Sequence, residues 1–232
     1  MEGREDMAAG ARKTPPKRTP LSRERVLRAA IALADERGAH ELTMRKLAQR
    51  LGVEAMSLYN HVANKDDLLD GMVEIVFGEI EAPTPGGEWK AELRKRAVST
   101  REALGRHSWA IGEMEGRGAH GPNNLRLREA VLGCLRTAGF SVEMTVHASS
   151  VQDAYIYGFA LQQRDMSPET PEDFAAVAQQ QMRDYAAALA DHPHLVEVVG
   201  GYVAESGYDY EAEFLFGLDV ILDRLGQLLD EG

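Results

Sequence analysis

Residues Met44 to Lys65, MRKLAQRLGVEAMSLYNHVANK, decide the fold. Leu47, Ala48 and Leu51 recur at helical spacing and give a short helix one apolar face. Thr43 stands just upstream, where a side-chain oxygen can cap the helix start. Gly52 follows Leu51 directly, the place where a left-handed residue closes a helix. Val53 is apolar and is expected to pin the turn to a core. A second helix then spans Glu54 to Val62, its core running over 55–61. Leu58 and Val62, four residues apart, face inward, and Ala55, Met56, Ser57, Tyr59, Asn60 and His61 face largely outward. Two short helices about a glycine turn form a helix-turn-helix, which sets the N-terminal part of its second helix into the major groove. The expected contact of this segment is therefore double-stranded DNA.

The flanks extend this head. Ser22 caps a helix running to about Arg37, with Val26, Ala29, Ala30, Leu33 and Ala34 as its buried stripe and Gly38 as its stop. Lys65, Leu68 and Leu69 open a fourth helix that reaches about Glu81. Pro83, Pro85, Gly86 and Gly87 then break the chain, the best boundary signal in the sequence. The expected units are a disordered basic arm over 1–20, a helix-turn-helix domain with its connecting helix over 21–82, and a second helical domain over 88–230. In the second domain, helices are expected over Trp89–Gly105, Ser108–Met114, Asn123–Ala138, Ser141 to about Gln163, Phe174–Ala190 and Tyr208–Leu229. Loops are expected at Gly116–Pro122 and Arg164–Glu172, with a break at His192-Pro193-His194. The fold class is all-α.

A net charge of −11 argues against nucleic acid until its distribution is read. Between Gly10 and Lys65 stand twelve Lys and Arg against five Asp and Glu, and the rest of the chain is strongly acidic. A basic N-terminal third on an acidic remainder is the footprint of a DNA reader joined to another module. No apolar stretch approaches the ~20 residues of a membrane span, and the start lacks the apolar core of a signal peptide, so a cytoplasmic protein is expected. Cys134 is the single cysteine. It can form no intrachain disulfide and reads as a buried helix residue. No H-x-x-x-H, H-E-x-x-H, G-x-S-x-G or phosphate-loop motif occurs, so an enzyme is not expected. A plain helical scaffold would have no use for a basic reading head.

The block resembles the DNA-binding domain of the tetracycline-repressor (TetR) family. The matching runs are Leu42-Thr43-Met44-Arg45-Lys46-Leu47-Ala48, Leu51-Gly52-Val53, Leu58-Tyr59-Asn60-His61-Val62 and Asn64-Lys65-Asp66-Asp67-Leu68-Leu69. Trp89, Leu93-Arg94, Ala97, Arg101, Ala103-Leu104, His107, Gly139-Phe140-Ser141 and Phe214-Leu215-Phe216-Gly217-Leu218 are similar to the C-terminal domain of the tetracycline-repressor branch. The resemblance implies that Tyr59 and Lys65 contact phosphates, that Arg45 reaches a phosphate or a base, and that His61 sits on the DNA backbone. It puts Ala55, Met56 and Ser57 at the base-reading positions. Repressors of tetracycline carry Gln-Pro-Thr there and Trp at the place of Asn60, so a different operator is expected. Asn60 would suit adenine and a bidentate Arg45 would suit guanine.

The resemblance also implies a homodimer formed by the eighth and final helices, reading a palindromic operator. It implies a small-molecule pocket beneath the fourth helix, where ligand binding alters the spacing of the two heads. The apolar stripe Phe214, Leu218, Ile221, Leu222, Leu225 and Leu228 is expected to be core or interface. At the tetracycline- and magnesium-binding positions this chain has Glu81, Arg96, Thr100, Met114 or Glu115, Val131 and Gln162, so that drug and metal are not the expected effector, and no cofactor is expected. The remaining pocket is expected to be lined by Arg96, Thr100, Trp109, Met114, Leu132, Val146, Ser149, Ser150 and Asp153. Asp153, if buried, needs a partner, either a cationic ligand or Arg96. Of Tyr155 and Tyr157, on different faces, one at most lines the pocket and the other packs at the dimer seam. The expected function is a ligand-released repressor, with activation as the alternative.

Overall fold

In the computed structural model of the chain, residues 20–116, 121–164 and 171–231 are described. All but the last residue of the expected arm over 1–20, and most of the two expected loops, lie outside them. Among the described residues every regular element is helical.

Local chemistry sets the head. Ser22 Oγ accepts from the Arg25 N–H at 3.2 Å and opens α1 (Arg23–Arg37), which Gly38 ends at φ 81°. Thr43 Oγ1 accepts from the Lys46 N–H at 3.2 Å and opens α2 (Met44–Leu51). Gly52 closes α2 in the left-handed region, φ 66°, where a side chain would be strained. Helix α3 spans only Ala55–Leu58, shorter than the expected 55–61. The chain continues as a tight turn in which the His61 and Val62 N–H groups both donate to the Leu58 carbonyl. Tyr59, Asn60 and His61 have modest helix propensity, and Asn64 already begins the next cap. Asn64 Oδ1 accepts from the Asp67 N–H at 2.8 Å and opens α4 (Lys65–Glu79). Helix α4 stops two residues early, ahead of Pro83, with Ile80 extended.

The second unit holds α5 (Trp89–Arg106), α6 (Ala110–Gly116), α7 (Pro122–Thr137) and α8 (Val142–Arg164). It continues through α9 (Pro171–Asp184), α10 (Ala186–Leu189), α11 (Pro193–Leu195), a π-helical stretch Val196–Val203, α12 (Ala204–Ser206) and α13 (Tyr210–Glu231). The expected helix Phe174–Ala190 is broken at Tyr185, and the helical run from Pro193 to Ser206 was not expected. Its Val-Val-Gly-Gly sequence is a poor helix former alone. Here it packs on α9, and a Cβ at Gly200 would lie 3.2 Å from Met182 Cε.

Two apolar cores result. One joins the head to the second unit: Val26, Leu47, Leu58, Val62, Met72 and Val76 share a cluster with Trp109, Ile111, Met114 and Leu127. The apolar packing therefore continues past the Pro83–Gly87 break. The other core lies under α5, α7, α8 and α13, around Leu93, Leu135, Phe140, Ile156, Phe214 and Leu218. Of the final-helix stripe, Phe214, Leu218, Leu222 and Leu225 are buried within the chain and Ile221 and Leu228 half-buried. Tyr155 packs within the subunit, stacked on Phe214 at 5.5 Å between centroids, its hydroxyl donating to the Phe214 carbonyl at 2.9 Å. Cys134 is buried, and burial pushes its thiol pKa up.

Candidate functional site

The head presents a polar face with two large apolar side chains in it. Arg45, Asn60 and Lys65 are exposed, Ala55, Ser57 and His61 half-buried. Met56 is 74% exposed and Tyr59 45%, the only exposed large apolar side chains in the head among the described residues. A methionine left in water on a helix this short suits apolar contact with a thymine methyl. Arg23 of α1 braces the segment behind it. Its guanidinium donates to the His61 carbonyl at 2.9 Å and grips the Asp67 carboxylate through bonds of 3.0 and 2.6 Å. Asp67 Oδ2 also accepts from the Ala63 N–H at 2.7 Å.

The Arg23 hydrogen bond, followed by that of the Ala63 amide, holds the Asp67 carboxyl below its ordinary pKa. A depressed carboxyl contributes stability that is complete above its unfolded value, near ~3.9, and is lost as pH falls through the folded one. Unfolding free energy should therefore lose this contribution only in strong acid. Asp67→Asn should lower stability at neutral pH and flatten the acid limb. Denaturant unfolding at pH 7 and pH 3 checks this: an unchanged acid limb would remove the clamp from the account.

Behind the head, α4, α5, α6, α7 and α8 enclose a cavity of about 380 Å³. Arg96, Met114, Leu132, Ser149 and Asp153 stand on its wall as expected from sequence. Thr100, Trp109, Val146 and Ser150 do not. Thr100 is fully buried, its hydroxyl donating to the Arg96 carbonyl at 2.8 Å. Trp109 turns its indole N–H to Asp35 Oδ1, 2.7 Å away. Val146 and Ser150 point outward from α8. The wall also carries Phe77, Asn124, Leu127, Arg128, Val131, Ala154 and Tyr157. Their signal was present as spacing: 124, 127, 128 and 131 form one face of a helix, and 149, 153 and 157 another.

Arg96 sits 5% exposed and donates to Asp153 Oδ1 at 2.6 Å and Gln152 Oε1 at 3.0 Å. Arg96, one of the two partners anticipated for Asp153, is therefore the one present. The buried Arg96 Nε and Gln152 Nε2 donors have no hydrogen-bond partner among the described residues.

Two polar seams tie the cavity to the head. Glu74 of α4 accepts the Asn123 backbone N–H at the start of α7, and the Glu74 carbonyl accepts from Asn123 Nδ2 at 3.1 Å. A carboxylate there satisfies a free helix donor and opposes the helix dipole. In the second seam, His107 bridges Asp35 of α1 at 2.8 Å and Glu79 of α4 at 3.2 Å. Burial alone would raise the Glu79 carboxyl pKa. Hydrogen bonding from Arg106 and the charge of His107 outweigh it and hold the pKa low. Glu74→Ala should cost about 1 kcal/mol by uncapping α7 and speed amide exchange in its first turn, measured by hydrogen exchange. Unchanged exchange at Asn123 would show that the cap is idle.

Residues 26–72 match the family model of bacterial regulatory proteins of the tetR family, and residues 82–228 that of the tetracyclin repressor-like C-terminal domain. An HTH-type transcriptional regulator of Saccharopolyspora erythraea is 33% identical over 84% of this chain and 80% of its own length. The HTH-type transcriptional repressor DrrR1 of Streptomyces coeruleorubidus is 32% identical over 90% of this chain and 78% of its own. Among solved structures, the TetR family protein ActR of Streptomyces coelicolor in complex with actinorhodin is 28% identical. It superposes with a TM-score of 0.74 over 91% of this chain and 99% of its own.

Proposed function

The chain belongs to the TetR family of transcriptional regulators, with a helix-turn-helix DNA-binding domain and a ligand-binding C-terminal domain, and from that premise we propose that it is a homodimeric repressor released from a palindromic operator by a small molecule. The observation that carries this reading is the cavity wall. Phe77 of α4, the helix that continues from the reading head, faces the same space as α5, α7 and α8. A ligand that fills the space acts on α4 directly, and the Glu74 seam passes movement of α7 to the same helix. Release requires that the ligand favour the DNA-incompetent arrangement by a few kcal/mol.

Arg45, Tyr59, Lys65 and His61 are assigned to the DNA backbone and Ala55, Met56, Ser57 and Asn60 to base edges, Arg45 being suited to either. Arg96, Met114, Leu132, Ser149 and Asp153 are assigned to the effector, joined by Phe77, Arg128 and Tyr157. The proposed effector is not tetracycline with magnesium. Exposed Phe216 and Val220 on α13, with Val151 and Leu161 on α8, support an interface between two copies built from these helices. No helix of the described residues is long and apolar enough to cross a membrane.

The test is binding of the purified protein to DNA from upstream of its own gene, against an unrelated duplex, across a salt series. Preference for the upstream duplex that survives physiological salt is expected. Equal binding to both that vanishes with salt would be electrostatics alone and would sink autoregulation as the mode of action.

A further inference from the structure

From the one charge on the cavity wall left unpaired among the described residues, we propose that the effector is an acidic, ring-bearing molecule, its anionic group held by Arg128. This rests on the reading of the cavity as the effector site. The chain from α4 onward is strongly acidic, yet among the described residues the wall carries two arginines and one aspartate, Asp153. Arg96 is matched by Asp153. Arg128 of α7 makes no ion pair or hydrogen bond among the described residues, and it is the cavity's surplus positive charge.

The donors point the same way. Arg96 Nε and Gln152 Nε2 are N–H groups buried without an acceptor among the described residues. Such groups are costly to leave unmade, and of the two residues Arg96 stands on the cavity wall, where an oxygen-bearing ligand would satisfy its Nε. Gln152 is 1% exposed and Arg96 5%, so bulk water reaches them poorly. The Asp153 carboxylate, partly open, can accept from a ligand hydroxyl. Phe77 and Tyr157 bring aromatic faces to the same space, and about 380 Å³ suits a molecule of two or three fused or linked rings. A cationic ligand would meet Arg128 with no carboxylate among the described wall residues beyond Asp153, which Arg96 already holds.

A matched pair of fluorescent probes tests the class: 1-anilinonaphthalene-8-sulfonate and N-phenyl-1-naphthylamine, one ring system with and without the sulfonate. Titrated into the full-length protein, the sulfonate probe should lose about tenfold or more in affinity with Arg128→Gln. Arg128→Lys should keep most of it. The neutral probe should change less than about twofold with either variant, having no charge to lose. Leu132→Trp, which fills the cavity from its wall, should weaken both probes.

If Leu132→Trp weakens both probes but Arg128→Gln spares the sulfonate, the acidic class is overturned and the cavity stands as a ligand site. If neither probe responds to Leu132→Trp, the cavity reading fails and the class with it. An equal loss of both probes in Arg128→Gln also overturns the proposal, since the arginine would then be acting by packing and not by charge.

Discussion

Phe214→Ala is expected to destabilise the protein by about 3–5 kcal/mol, as large-to-small changes at buried aromatic positions do. Phe214 is fully buried at the centre of the second core. It stacks on Tyr155 at 5.5 Å and meets Phe159 edge-on at 5.2 Å, and the Arg101 guanidinium lies 5.3 Å from its ring. Helices α8 and α13 face each other through these rings, so the vacated space cannot collapse without moving a helix. The Tyr155 hydroxyl, which donates to the Phe214 carbonyl, would lose the ring that orients it. For a chain of this length the loss corresponds to a fall in Tm on the order of 10 °C. Denaturant and thermal unfolding measure it. A loss under about 1 kcal/mol would mean that the two helices are held by something other than this aromatic cluster. If α8 and α13 also form the contact between copies, the same variant should weaken self-association.

The second large effect concerns DNA. Tyr59→Ala and Arg45→Ala should each weaken specific operator binding by about ten- to a hundredfold, the worth of a hydrogen bond to a charged partner or of a good base contact. Both side chains are exposed and neither is part of a core, so the variants should unfold as the parent does. The salt series separates the assigned roles. Loss of a phosphate contact by Arg45 should reduce the salt slope by about one. Loss of a base contact should leave the slope and relax sequence preference at one position in each half-site. An Arg45→Ala variant with full operator affinity at physiological salt would remove α2 from the interface.

Short-range interactions are legible in the sequence, and long-range ones are not. Ser22, Thr43 and Gly52 act on backbone groups within a few residues of themselves, and each does in the structure what its position implies. The shortfall of α3 is a failure of the same local logic at its weakest point, where three residues of middling propensity lie between a leucine anchor and a cap. The cavity is another matter. Helix α8 mixes apolar and polar residues on every face, so its sequence could not say which ridge turns inward. Ser149 and Asp153 do, whereas Val146 and Ser150, one ridge away, face out. Thr100 on α5 and Trp109 in the turn ahead of α6 stand beside the cavity along the chain but not on its wall. One satisfies a carbonyl of its own helix, and the other reaches Asp35 across the packing of the head.

By itself, then, the sequence determined the helical class, the position of the reading head, the family and the asymmetry of charge, since these depend on spacing, capping and composition along the chain. Only the tertiary structure decided that Arg96 is neutralised by a residue 57 positions away while Arg128 meets no carboxylate among the described residues. It alone decided that Glu74 fastens α4 to α7 and that one apolar core runs from the head into the second unit. These contacts join residues from helices far apart in the chain. Which pairs meet depends on helix phase and crossing, which are set by how all the side chains pack together and not by any one segment.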